Sequence, residues 1–247
     1  MNKLERDDDS KKSHPALGAP CAPLGSRMLA RVDCPSMNRH TDGALRAAIE
    51  ALAVPGILLA HRLISPGDEN ALMPEEAGAF ARSVVSVRRA SGAARMVARE
   101  LLARLGLPPA PLPRSPEGPP TWPAGVIGSL AHDKRVAVAA VALCRDIDAV
   151  GVDVEPAEDL PPELIDMVAT PTERAMIADV RFGGRLLFVA KEAACKAVYP
   201  LDRTFLEHHD VEIDFPSGKA SVRNGRTVDL RFCVSTHLLA LAFIRAT

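Results

Sequence analysis

The chain has 247 residues, 47% of them hydrophobic and 25% charged, which suffices for a buried core in one sizeable domain or two small ones sharing an interface. Thirty basic residues against thirty-one acidic ones leave a formal net charge of −1, so no global electrostatic case exists for a nucleic-acid or membrane-surface partner. The longest apolar run, Val136 to Cys144, falls well short of the roughly 20 residues needed to span a bilayer.

Residues 1–50 mix a charge run, Glu5 to Asp9, with scattered Pro, Gly and Ser and no sustained periodicity, and are expected to form a disordered leader. From Pro74 to Leu105 the pattern predicts one long helix, with Pro at its start, Glu75 and Glu76 in its first turn and Gly106 and Pro108 beyond its end. The proline-rich stretch Leu107 to Pro123 is an expected extended loop, leading through Gly125–His132 to a buried strand over Val136 to Leu143. A second strand is expected over Ala149 to Glu155. Helical patterns follow over Pro162 to Ala169, Pro171 to Asp179 and Arg185 to Tyr199, the last closed by Pro200. Alternating stretches at Asp210 to Phe215, Thr227 to Val234 and Leu238 to Ile244 predict strands, separated by Ser217-Gly218 and Asn224-Gly225 turns. The fold class is α+β. A weak echo, Ser129-Leu-Ala-His132 before one apolar strand and Ser235-Thr-His237 before another, hints at two related halves, 51–147 and 148–247.

Four features bear on chemistry. In Gly151-Val-Asp153-Val-Glu155 the two acids lie two apart on a strand and share a face. Either they face water, or a hard divalent cation such as magnesium sits between them. In Lys191-Glu192-Ala-Ala-Cys195-Lys196, Glu192 and Lys196 share a helical face, with Lys191 beside them. Such a pair is also what a solvated helix carries, at roughly 0.2 to 0.5 kcal/mol. Arg88, Arg95 and Arg99, seven and four apart, form a helical stripe whose guanidinium forks suit phosphate or plain solvent. His132 beside Ser129 is either a phosphate contact or a structural residue. The five cysteines are odd in number and never spaced CxxC, which fits a reduced cytoplasm, and Cys195 reads as a small buried side chain.

Taken in order, four stretches resemble the phosphopantetheinyl transferases, specifically the short enterobactin-synthetase component D type of bacteria. They are Arg88 to Leu102, Trp122 to His132, Val150 to Glu155 and Arg185 to Pro200, with the acidic pair and the Lys-Glu helix about forty residues apart. The resemblance implies a pseudo-duplicated α+β fold with coenzyme A held between two halves. It implies Asp153, Glu155 and Glu192 as magnesium ligands, Glu192 also as general base, Lys196 as a catalytic pyrophosphate contact, and Arg88, Arg95 and His132 as phosphate contacts. The implied reaction moves 4'-phosphopantetheine from coenzyme A to a serine of an acyl or peptidyl carrier protein, in siderophore, polyketide or fatty acid synthesis. A cytoplasmic monomer without nucleic-acid partner is expected. Departures from the family pattern are Ala90-Ser91 for an acidic-aromatic pair, Ala94 for glycine, Val189 for serine and Asp133 for cysteine. Those departures keep a rival reading open, a non-catalytic coenzyme A or carrier-protein binding module of the same fold.

Overall fold

A computed structural model describes residues 42–246. Residues 1–41 of the expected leader therefore lie outside the described residues. Its last part is helical: α1 (Gly43–Ala51) is capped by Asp42, whose Oδ1 accepts the N–H groups of Ala44 and Leu45. Only Leu45 and Ile49, four apart, bury their side chains from α1, too thin a stripe to stand out as periodic.

The predicted helix from Pro74 to Leu105 is two helices, α2 (Pro74–Ala77) and α3 (Val85–Arg104), joined through a 3-10 turn at Gly78–Phe80. The break has a cause in Glu76. Its Oε1 lies 2.8 Å from Arg99 Nη1, yet 23 residues of continuous helix would hold the two about 34 Å apart along the axis. The chain must fold back for that buried acid to meet its partner.

Strands β1 (Ile57–Leu63), β2 (Val126–His132) and β3 (Val136–Leu143) form an antiparallel sheet in the order β1-β3-β2. The sequence pattern predicts only β3 of these. Strands β4 (Ile147–Pro156), β5 (Val211–Asp214), β6 (Lys219–Val222), β7 (Thr227–Val234) and β8 (His237–Arg245) form a second antiparallel sheet, ordered β4-β8-β7-β6-β5. Between β4 and β5 lie α4 (Pro162–Val168), α5 (Pro171–Ile177) and α6 (Gly183–Asp202). Pro200 sits inside the last turn of α6 rather than closing it, and the helix ends where Arg203 turns left-handed.

Alternation along the strands dictates the layers. On β3, Ala139 and Val141 face α3 with Val97, Ala98, Leu101 and Leu102, while Val136, Val138, Ala140 and Ala142 face the second sheet. On β8, Leu239, Leu241 and Phe243 face the first sheet, and Leu238, Ala240 and Ala242 face α6. The result is four layers: α3, the three-stranded sheet, the five-stranded sheet and α6. Each sheet carries one 20-residue helix on its outer face. The Ser-His echo falls at hairpin turns of both sheets, where Asp133 Oδ2 and His237 Nε2 lie 3.1 Å apart and side-chain exposure falls to 6% and 1%.

Candidate active site

Strand β4 decides which way its acids point. A bulge between Ile147 and Ala149 shifts the alternation by one residue, so Ile147 faces the first sheet while Ala149 faces α6. From there Val150, Val152 and Val154 fill the space between the sheets, and Gly151, Asp153 and Glu155 are left on the α6 side. Gly151 sets how close the helix comes. A Cβ there would collide with the carbonyl oxygen of Ala193 and lie 2.6 Å from the Ala197 nitrogen, so only glycine permits this approach. The row Ala190, Ala193, Ala194 and Ala197, each 0% exposed, serves the same close packing.

That approach brings Lys196 to the strand. Its Nζ donates to Asp153 Oδ1 at 2.5 Å and to the Val152 carbonyl at 3.3 Å. Asp153 is only 7% exposed, and burial raises its pKa, with the Lys196 ammonium opposing and the Glu192 charge reinforcing the rise. Glu155 is also raised, first by burial and then by Asp153, although Arg185 Nη1 donates to its Oε2 at 3.1 Å. Glu192 goes the other way: a 2.9 Å hydrogen bond from His208 Nε2 holds its carboxyl below the usual range against the pull of burial. His132 ends β2 with its ring reaching solvent, and crowding by the protein together with the Lys196 charge lowers its pKa. Cys195, between Glu192 and Lys196, is pushed up to about 12 by burial first and the Glu192 charge second, so its thiol stays protonated.

The Lys196 charge thus reaches Asp153, Glu155, Glu192 and His132 alike. They do not form a ready ligand shell. Among the described residues no three carboxylate, imidazole or thiol side chains gather closely enough to hold a metal ion. Each of the three acids has a basic partner instead: Lys196 for Asp153, Arg185 for Glu155 and His208 for Glu192. The donors are nonetheless hard carboxylate oxygens, which suits magnesium, an ion that commonly takes one or two carboxylates and completes its shell with water and substrate phosphate.

The arginine stripe on α3 divides. Arg95, expected as a phosphate contact, turns into the fold. It is 4% exposed, donates to the carbonyls of Leu112 (3.0 Å) and Ser91 (3.3 Å), and stacks over Phe80 at 4.9 Å. Arg99 donates to Glu76 and, at 2.6 Å, to the Ala71 carbonyl. Arg95 therefore pins the loop after α3, and Arg99 the turn before α2. Helical spacing carries no information on which neighbour a stripe faces. Arg88 is half-buried, and among the described residues no acid or carbonyl pairs with its guanidinium.

Several contacts around the site cannot be read from local spacing. Ser129 accepts the Val152 N–H at 3.0 Å and so ties β2 to the acid-bearing strand. Lys191, beside Glu192 in sequence, turns into the core and is 0% exposed. Arg185, His208 and Glu173 meet their partners across 16 to 30 residues of chain, beyond any helical or strand repeat.

Comparison with known proteins gives two family profiles in tandem. The 4'-phosphopantetheinyl transferase N-terminal domain matches residues 75–142, and the 4'-phosphopantetheinyl transferase superfamily matches residues 149–242. Similar curated proteins include 4'-phosphopantetheinyl transferase Svp of Streptomyces mobaraensis, 42% identical over 149 residues, covering 58% of this chain and 60% of that protein. The transferase PptT of Mycobacterium tuberculosis is 40% identical over 148 residues, covering 58% and 65%. The transferase Npt of Nocardia iowensis is 38% identical over 182 residues, covering 72% and 82%. The chain thus spans less than two thirds of the length of the first two.

Proposed function

The chain belongs to the 4'-phosphopantetheinyl transferase superfamily, and on that premise we propose that it transfers the 4'-phosphopantetheine arm of coenzyme A to a serine of an apo carrier protein. The observation that carries the reading is the Asp153–Lys196 contact at the tight seam between β4 and α6, with Glu192 one helical turn from Lys196. Asp153 is raised by burial in spite of a lysine at 2.5 Å, the kind of perturbed carboxyl in contact with a specific charge that marks functional sites.

In this reaction the serine hydroxyl oxygen forms a bond to the phosphorus bearing pantetheine. The bond from that phosphorus to the bridging oxygen breaks, and 3',5'-ADP leaves with the electron pair. Glu192, held ionised by His208, takes the serine proton. Lys196 balances the diphosphate charge as it shifts toward the leaving group, and His132 and Arg88 bind phosphate oxygens. Asp153, Glu155 and Glu192 are the carboxylates that would hold magnesium. When bound, that ion supplies charge neutralisation on the diphosphate oxygens.

We take the setting to be cytoplasmic, in keeping with the odd number and scattered spacing of the five cysteines, and the working unit to be a monomer. No helix among the described residues is long and apolar enough to cross a membrane. Peptidyl and acyl carriers, including those of enterobactin-type siderophore synthesis, are the substrates to try.

The test is incubation of the full chain with coenzyme A, magnesium and a panel of apo carriers, read by intact mass. Gain of one phosphopantetheine on at least one carrier is expected. Calorimetric binding of coenzyme A by folded protein, with no carrier modified and no ADP released, would replace enzyme with binding module.

A further inference from the structure

His208, which keeps the Glu192 carboxyl ionised, is itself held on several sides. The segment after α6 carries His208 back over the helix, where three α6 residues at positions i, i+3 and i+4 receive it. Phe188 packs its ring edge-to-face with the imidazole at 5.3 Å, Lys191 Nζ donates to the His208 carbonyl at 2.9 Å, and Glu192 Oε1 accepts from His208 Nε2 at 2.9 Å. The imidazole is thus located at its backbone, its ring face and its tip.

Lys191 is anchored in turn. It is 0% exposed, and its ammonium places its other two bonds on the Val168 carbonyl at 2.8 Å and on Glu173 Oε2 at 2.6 Å. Glu173, 1% exposed, accepts the Thr170 N–H with that same oxygen and the Ile213 N–H with Oε1, both at 2.9 Å. All three ammonium bonds and both carboxylate oxygens are therefore used. An apolar pair of the same volume would fill the space at no desolvation cost, but it would leave the His208 carbonyl without a fixed donor.

We propose that His208, fixed from behind by the buried Lys191–Glu173 pair, is a positioning residue that holds Glu192 by one oxygen and leaves the other free to face the reacting serine. Among the described residues no protein group bonds Glu192 Oε2. The inference rests on the transfer reading for the role of Glu192, whereas the pinning of Glu192 by His208 stands on geometry alone. A charged carboxylate on a helix surface otherwise samples several rotamers, and holding one of them removes that freedom before substrate arrives.

Two measurements test it. In steady-state assays with coenzyme A and a responsive carrier, His208→Ala lowers kcat about 10- to 100-fold, the usual effect of losing a group behind a functional side chain. KM for coenzyme A stays within about twofold of wild type, as expected for an interaction that serves the transition state. His208→Gln, which returns an amide donor near the same place, recovers most of kcat. Separately, thermal unfolding of ligand-free wild type, His208→Ala, Glu192→Ala and the double variant gives losses in Tm that do not add, since each single change already removes the contact. A His208→Ala enzyme with wild-type kcat, or Tm shifts that sum, overturns the proposal. If wild type modifies no carrier, the transfer reading fails, and the unfolding cycle still decides whether His208 holds Glu192.

Discussion

Against α3, Glu76 is completely buried and uses both oxygens within the protein: Oε1 accepts from Arg99 and from the Leu112 N–H at 2.7 Å, and Oε2 accepts the Met73 N–H at 2.8 Å. Against α6, Asp153 is nearly as buried, but its one strong partner is a lysine whose side chain is still 33% exposed, and Glu155 and Glu192 add charge of the same sign. Both clusters look the same in a sequence, as acids and bases at helical or strand spacing. They differ in where the partners come from. Every bond in the α3 cluster ends on residues 71–112 and fixes a loop, so it has nothing to gain from a ligand. The α6 cluster joins three carboxylates whose partners Arg185, Lys196 and His208 all remain partly exposed. Charge pairs open to solvent at a seam are what a polyvalent ligand can use.

That contrast breaks most easily through its two acids. Glu192→Ala is expected to cut kcat by about 10²- to 10⁴-fold, the range for loss of a general base, with unchanged circular dichroism. Asp153→Ala should act likewise, and near-normal turnover in both would remove the α6 cluster from catalysis. Glu76→Ala has the opposite signature. It strands Arg99 and nearby Arg95 in the core, and unfolding free energy should drop by about 3 to 5 kcal/mol in denaturant titrations, the cost of removing one partner from a buried pair. A fully stable Glu76→Ala protein would mean that the network around α3 holds nothing together.

The sequence carried the α6 cluster because its residues obey local repeats. Asp153 and Glu155 alternate on a strand, and Glu192 and Lys196 are one helical turn apart, so each pair declares a shared face. That the two faces meet depends on Gly151 and the four alanines of α6, visible as small residues, though their collision distances are not. Strands β1 and β2 lack a clear strand pattern for a compositional reason. His61 and Arg62 interrupt the apolar run of β1, and Gly128 with Ser129 interrupts β2. A helical stripe fixes relative direction only, so it does not show that Arg95 turns inward; the Leu112 carbonyl and Glu76 that it meets lie 17 and 19 residues away in a proline-rich loop and a separate helix. His208 had no pattern to betray it.

Gly151→Ala sharpens the comparison at the seam itself. The added methyl must push α6 from β4, at about 1 to 3 kcal/mol for overpacking, and should lower Tm and turnover together. An equivalent change remote from the seam should lower Tm only. Loss of stability with kcat intact would show that the Lys196–Asp153 distance is not critical. On α3, Arg88→Ala and Arg95→Ala should separate. Arg88→Ala raises KM for coenzyme A with little change in Tm, and Arg95→Ala lowers Tm because it empties a buried network. A rise in KM for Arg95→Ala at constant Tm would restore it as a ligand contact.

The smallest effect concerns pH and the first sheet. His61 on β1 is 4% exposed, and its Nε2 accepts the Asp42 N–H at 3.0 Å, which requires that nitrogen to be unprotonated. Burial lowers its folded pKa below the ordinary histidine value, with Asp42 opposing and His237 and Arg46 assisting. The unfolded chain, whose histidines titrate near about 6.5, therefore binds a proton before the native state does as pH falls. Stability from this group is complete above that value and declines below it, because protonation is taken up preferentially by the unfolded chain. His132, lowered as well, adds in the same direction. Tm measured at about pH 7.5 and about pH 5.5 should fall on acidification, and His61→Gln, which has no proton to take up, should show a shallower fall. An unchanged slope in that variant would mean that the α1 cap and β1 are joined by something other than a neutral imidazole.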